Sequence, residues 1–189
     1  MAGRVRAWLG GGPAGGSQNL RWLAFGGYAQ RVFGGSPAWF SEPARHVKGL
    51  TDANKVLGSA VVEFDLGELR VARLELAAGA TGVERVRTLG GDAGLRAFGR
   101  DAIGALVHGQ SAKADIFLAL PSPATLLIAL GEDASAIDFD LLDDVATLLV
   151  GMMREHADAG VDGLVLTVSD TGVDAGDELE ASEAIKNAA

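Results

Sequence analysis

The sequence predicts an α/β fold of parallel β/α units, because three segments in the second half of the chain follow the required order. Residues 114–120 form the mostly apolar run of a buried strand, residues 139–159 are amphipathic with a helical period, and residues 163–168 form a second apolar run. A strand, a helix and a second strand are the unit of a parallel sheet. Polar residues follow both strands, and we therefore expect a binding site outside their carboxyl ends.

The turn after the first strand reads Pro121-Ser122-Pro123-Ala124-Thr125. Ser122 suits the N-cap of a helix and Pro123 suits its first position, so a helix is predicted to begin directly after the strand. The free N–H groups of such a helix end can hold a carboxylate or phosphate, and this makes Ser122, Pro123 and Thr125 candidate substrate-binding residues. The alternative interpretation, that Ser122 only caps its own helix, is the commoner reason for this pattern.

The second strand ends in Ser169-Asp170-Thr171-Gly172. A carboxylate at this position can act as an acid or base on a bound molecule, so Asp170 is the candidate catalytic residue and Ser169 a further candidate substrate-binding residue. The same four residues also suit a simple turn, and both interpretations have equal weight.

These segments resemble the uroporphyrinogen decarboxylase and cobalamin-independent methionine synthase superfamily. Its members are (β/α)₈ barrels with a Gly-x-Pro-x-Thr-like turn after one strand and an Ala-Gly-x-Asp lead into another. The resemblance covers about a third of the chain. The matching residues are Pro123, Thr125, Ala159, Gly160, Asp162 and Asp170.

The resemblance implies part of a (β/α)₈ TIM barrel, with a doubly wound open sheet as the alternative. It also implies a lyase (decarboxylase) or methyltransferase that acts on a carboxylated or methylated small molecule. The decarboxylases have a substrate-holding tyrosine where this sequence has Ala129, so decarboxylation of uroporphyrinogen itself is not the expected reaction. Because 189 residues are too few for a closed eight-fold barrel, we expect a half-length or truncated member. A second copy or a partner chain would complete its barrel, and a non-catalytic partner subunit is the alternative.

A competing motif lies near the start of the chain. Gly10, Gly12 and Gly15 match the G-x-G-x-x-G dinucleotide fingerprint, after residues 5–9, which are predicted as a strand. This pattern makes an FAD- or NAD-binding protein the alternative function. The acidic ribose ligand expected further on is replaced by Gly34, and a flexible glycine turn explains the motif better. Under the barrel interpretation no cofactor is expected.

Composition limits the class of protein. The 189 residues are 48% hydrophobic and 22% charged, which predicts one α/β domain. Residues 1–110 are glycine-rich and carry 13 basic against 9 acidic residues, whereas residues 111–189 carry 3 against 16 and contain the barrel-like half.

Without cysteine no sulfur-ligated zinc site is expected, and no other metal site is predicted. The scattered basic residues predict no nucleic-acid partner, and the short apolar runs predict no membrane partner and a cytoplasmic location.

Outside the β/α/β unit the pattern is weaker. A helix interrupted by glycine is predicted over residues 20–33, a short helix over 52–57, a β-hairpin or bulged strand over 61–76, and a helix over 95–107. His46, beside Arg45 and Lys48, is the histidine best suited to a polar site. His156 is predicted to pack in the core and His108 to lie at a helix end, and none of the three is given a catalytic role.

Overall fold

A computed structural model of the chain describes residues 3–9, 20–34, 37–67, 82–110 and 112–189. Within these ranges the fold is mixed α/β. No helix in them has both the length and the apolar character to cross a membrane. The elements, in chain order, are α1 (Arg4–Leu9), α2 (Gly26–Ala29) with a π turn (Gln30–Gly34), a 3₁₀ turn (Pro37–Phe40), α3 (Pro43–Leu57), β1 (Val61–Asp65), α4 (Gly82–Gly91), α5 (Ala93–Gln110), β2 (Asp115–Pro121), α6 (Pro123–Ala129), a 3₁₀ turn (Ala134–Ala136), α7 (Phe139–Ala157), β3 (Gly163–Thr167) and α8 (Ala175–Ala188).

The three strands form one open parallel sheet in the order β1-β2-β3. Val61 is paired with Asp115, and Phe117 with Gly163. The prediction that the strands near residues 114 and 163 are parallel is therefore confirmed, and they are direct neighbours. The central strand is buried along its whole length, and after Asp115 its sequence is apolar, as a strand covered on both faces requires.

Both faces of the sheet are covered. On one face, strand residues pack against α3, α5, α7 and α8 in the main core, and burying each large side chain there contributes about 1.5–3 kcal/mol. On the other face a smaller cluster joins Val5 of α1 to Val61 and Phe117. Trp22 packs edge-on against Phe117 at 5.0 Å between ring centroids. The main core includes Leu50, Phe64, Ile103, Leu118, Leu120, Leu149 and Ile185.

The two edges of the sheet differ. Val61, Val62 and Phe64 of β1 are fully buried, whereas the side chains of β3 are only half-buried and Thr167 is exposed. The predicted strand over 163–168 is thus confirmed as Gly163–Thr167. An apolar run of this kind is typical of a strand covered on both faces, but the described residues leave β3 half-exposed, whereas β1 at the opposite edge is buried.

The helices that flank the site begin and end where their capping residues predict. Ser122 caps α6 by accepting from the Thr125 backbone N–H, and Pro123 occupies its first position. Asp138 caps α7 through the Leu141 N–H at 3.0 Å. The helix ends at Ala157, two residues before the predicted end, and Gly160 follows with a φ of +89°, the left-handed conformation in which glycine commonly follows a helix.

The prediction of a strand over residues 5–9 is wrong, because this segment is the helix α1. A six-residue helix is marginal alone, and a tertiary contact supports it: the Asp115 carboxylate accepts from the Val5 N–H at 2.7 Å, at the positive end of the helix.

The helix predicted over 20–33 is confirmed only from Gly26 onward. Residues 20–25 are not helical because they bond to the segment before β1, with Ala60 N–H donating to the Arg21 carbonyl at 2.7 Å.

The remaining local predictions are partly correct. The short helix predicted over 52–57 is the end of the longer α3, which stops at Gly58 with a φ of +64°. The helix predicted over 95–107 is confirmed as α5 and is longer. The first arm of the predicted hairpin is the strand β1, but this strand pairs in parallel with β2, and Leu66 and Gly67 after it are helical. The rest of the predicted hairpin, residues 68–76, lies outside the described residues.

Candidate functional site at the carboxyl ends of β2 and β3

The carboxyl ends of β2 and β3 are joined by one backbone and one side-chain hydrogen bond. Ser122 N–H, directly after β2, donates to the Thr167 carbonyl at 2.8 Å. The Thr167 hydroxyl donates to the Leu120 carbonyl at 3.2 Å. The turn after β2 and the loop after β3 therefore lie side by side, as predicted for the ends of neighbouring parallel strands.

Thr125 connects this turn to the loop. Its Oγ1 accepts from the Ser169 backbone N–H at 2.9 Å and lies 2.8 Å from the Ser122 Oγ. The structure thus brings together three of the predicted site residues: Ser122, Thr125 and Ser169. Pro123, the fourth, is buried at the first position of α6, where it shapes the turn and has no N–H to donate.

Glu178 is a member of this network that the sequence analysis missed. It lies on α8, 56 residues after Ser122, and its carboxylate accepts from the Ser122 hydroxyl. Its side chain is buried, and so is that of Ser182 one turn later. The signal was present in the sequence: Glu178, Ala181, Ser182 and Ile185 follow the i, i+3, i+4, i+7 spacing of a buried helical stripe.

The Ser122 hydroxyl is fully used inside the protein. An ionised carboxylate only accepts, so the single proton of Ser122 goes to Glu178, and the Thr125 hydroxyl supplies the proton between the two hydroxyls. The Ser122 Oγ also accepts from the Thr125 N–H at 3.3 Å. Ser122, with no exposed surface, therefore caps its own helix and braces the site.

Asp170 lies at the surface beside this network. Its side chain is exposed, and it makes no hydrogen bond or ion pair to any residue that the structure describes. Ser169 is exposed as well, although its backbone is held by Thr125. Gly172, with a φ of +73°, turns the chain toward α8. The segment therefore forms a turn, and the Asp170 carboxylate beside it is exposed.

The alternative dinucleotide site is not described, because Gly10, Gly12 and Gly15 lie outside the described residues. The segment before them is the helix α1, whereas the fingerprint needs a strand at this place. The dinucleotide hypothesis therefore loses the support that the preceding element gave it.

Arg45 and Lys48 in the sequence suggested a polar site around His46, but His46 is not part of one. It is buried, and its Nδ1 donates to the Trp39 carbonyl at 3.2 Å. Burial lowers the pKa of His46 from 6.5 to about 4, and the bond to Trp39 offsets only part of this effect. His156 is buried in the core, and His108 is exposed in the last turn of α5, as predicted. Among the described residues no three histidine or acidic side chains are grouped to hold a metal ion.

Comparisons with protein-family models, with curated proteins and with solved structures give no match.

Proposed function

We propose that this chain is a decarboxylase- or methyltransferase-like protein that binds a carboxylated or methylated small molecule at the carboxyl ends of β2 and β3. The observation that carries the proposal is the hydrogen-bonded connection from Ser122 through Thr125 to Ser169. It fixes two loops at the place where parallel α/β proteins bind ligands, and it leaves Asp170 exposed beside them.

The topology agrees with the barrel version of this proposal. The described sheet keeps the sequence order β1-β2-β3, with a helix between successive strands. Three successive β/α units in this order are what a segment of a (β/α)₈ barrel contains. One half of a doubly wound sheet has the same order, so the doubly wound fold stays the alternative.

The residues of the site have different roles in this proposal. Asp170 is the catalytic residue, because its exposed carboxylate can take a proton from a bound molecule or return one. Thr125 and Ser169 contact the ligand, whereas Ser122 and Pro123 hold the turn. The reaction is a decarboxylation or a methyl transfer, and the ligand is bound without FAD or NAD.

The charges near the site favour the methylated alternative. Asp170 and the buried Glu178 both place carboxylates at the ends of these strands. A carboxylated ligand would be repelled there, since like charges at short range are unfavourable. A neutral or cationic methylated molecule meets no such repulsion.

Isothermal titration calorimetry tests the proposal with one probe of each class: trimethylsulfonium as the methylated probe and succinate as the carboxylated one. We expect binding of trimethylsulfonium and a loss of about ten-fold in affinity for Asp170→Asn, because a charge-assisted contact contributes roughly 1.5–3 kcal/mol. Asp158→Asn, at an exposed position after α7, is the matched control and should bind normally. Failure of both probes to bind, or unchanged binding by Asp170→Asn, contradicts the proposal.

A second candidate function, a non-catalytic subunit whose sheet is completed by another chain, is favoured by the edge strand β3. Gly163–Thr167 contains no charged residue, and its side chains are half-buried. An uncharged edge strand is a template for pairing with another strand. Sedimentation velocity tests this candidate: a concentration-dependent assembly that Val165→Lys prevents supports it, and a monomer at all concentrations removes it.

A further inference from the structure

We propose that a cavity between α5 and α7 binds a phosphate group, at a site separate from the ends of β2 and β3. The cavity has a volume of about 320 Å³ and is lined by Ala93, Arg96, Arg100, Glu155 and His156. This volume is at the lower end of the range for small-molecule pockets, roughly 300–1,000 Å³. It is large enough for a phosphate ion or a small phosphate monoester.

The two arginines supply the charge. Arg96 and Arg100 are four residues apart on α5 and so lie on one face of the helix, where two like charges destabilise it slightly. Arg96 is paired with Glu155 at 3.3 Å and donates to the Gly91 carbonyl at 3.4 Å. Arg100 is exposed and makes no ion pair or hydrogen bond to the residues that the structure describes. One guanidinium at the cavity therefore remains uncommitted.

The floor of the cavity is the ring of His156, which is 1% exposed. The ring approaches α5 closely at Gly99, where an added Cβ would lie 2.8 Å from the His156 Cε1. The absence of a side chain at Gly99 lets the imidazole sit between the positions of Arg96 and Arg100. Three nitrogen-bearing side chains thus converge on one small space.

A phosphate group suits these donors. The planar guanidinium presents N–H groups in a fork that matches phosphate oxygens, often with two bonds per arginine. Asp92, before the start of α5, is committed to this helix end, where it accepts from Gly94 N–H at 2.7 Å. Of the charged side chains that line the cavity, two are basic and one is acidic, so the local charge favours an anion.

Calorimetric titration with inorganic phosphate and with methyl phosphate, at constant ionic strength set by chloride, tests the proposal. Wild-type protein is expected to bind at least one of them. Binding of methyl phosphate alone identifies a monoester site, and binding of inorganic phosphate alone identifies a site for the free ion. Arg100→Gln should weaken binding about ten-fold or more, as expected for the loss of a charge-assisted contact.

Two further variants make the test specific. Arg154→Gln removes an exposed arginine of α7 that does not line this cavity, and it should bind phosphate like the wild type. Glu155→Gln removes the competing carboxylate from Arg96 and should tighten binding. The proposal is overturned if neither probe binds, if Arg100→Gln binds normally, or if Arg154→Gln is weakened as much as Arg100→Gln.

Discussion

The imidazole of His46 lies among three aromatic rings, with centroid distances of 4.3 Å to Trp39, 5.2 Å to Phe64 and 5.7 Å to Phe98. A charged imidazolium would lose most of its hydration there, which is why the folded protein keeps this histidine neutral. Its position beside Arg45 and Lys48 in the sequence gave no sign of this, because the aromatic neighbours come from other elements of the fold.

His46 is therefore expected to make stability depend on pH. Its pKa is about 4 in the folded protein and 6.5 in the unfolded reference, so the unfolded chain takes up the proton first as the pH falls. The contribution of the neutral His46 to the free energy of unfolding is complete above pH 6.5. It decreases as the pH falls from that value to about pH 4. From about pH 7.5 to about pH 5 the loss is about 2 kcal/mol by linkage.

Urea denaturation at the two pH values measures this loss. His46→Gln should remove most of the pH-dependent difference, even if the variant is less stable at both values. His108→Gln, at an exposed position on α5, should keep it. An equal pH dependence in the wild type and in His46→Gln would show that another group is responsible.

The contact between Ser122 and Glu178 is expected to contribute measurably to stability. Replacing Ser122 with Ala removes the cap of α6 and leaves the buried Glu178 carboxylate without this donor, at a cost of about 2–4 kcal/mol. Glu178→Ala removes the other half of the same contact. The double variant should therefore lose less free energy of unfolding than the two single variants lose together. We expect a coupling of about 1–3 kcal/mol from chemical denaturation. The pair of Ser122→Ala with Glu180→Ala, an exposed residue of α8, should be additive.

At the scale of elements, the packing of α5 against α7 depends on one glycine. An alanine Cβ at Gly99 would lie 2.8 Å from the His156 Cε1, and the His156 side chain is buried. Gly104, one and a half turns later on the same helix, has no atom within 4 Å of its added Cβ. The two glycines therefore separate the effect of packing from the effect of helix propensity.

Gly99→Ala is predicted to lower the free energy of unfolding by about 1–3 kcal/mol through overpacking. Gly104→Ala is predicted to raise it by about 0.5–1 kcal/mol, because alanine loses less conformational entropy in a helix. Thermal and urea unfolding of the two variants measure both changes. Stabilisation by Gly99→Ala would mean that α5 and α7 are not packed as closely as described.

The elements that the sequence predicts well are those whose periodicity and caps agree. Residues 139–159 combine an apolar stripe with Asp138 at the start and Gly160 after the end, and the helix is found with its end displaced by two residues. Residues 5–9 combine a short apolar run with no such signals. Their helical form depends on Asp115, 110 residues away, which a local pattern does not contain.

At the scale of the whole molecule, the sequence correctly indicates which strands are neighbours but not how their ends are closed. The polar residues after β2 and β3 were predicted to meet, and the bond from Ser169 N–H to Thr125 confirms that they do. Glu178 was missed because its contact with Ser122 depends on the docking of α8. The half-exposed state of β3 depends on how much of it the other elements cover, and its apolar sequence does not reveal this.

If the loops after β2 and β3 form one ligand site, a ligand must perturb both of them at once. Two-dimensional amide NMR of isotope-labelled protein, titrated with trimethylsulfonium, measures this. We expect the largest shifts at the amides of Thr125, Ser169 and Asp170, with the amides of Arg96 and Arg100 unchanged. Largest shifts on any other part of the chain, or no saturable shift at all, would rule out a shared site at these loops.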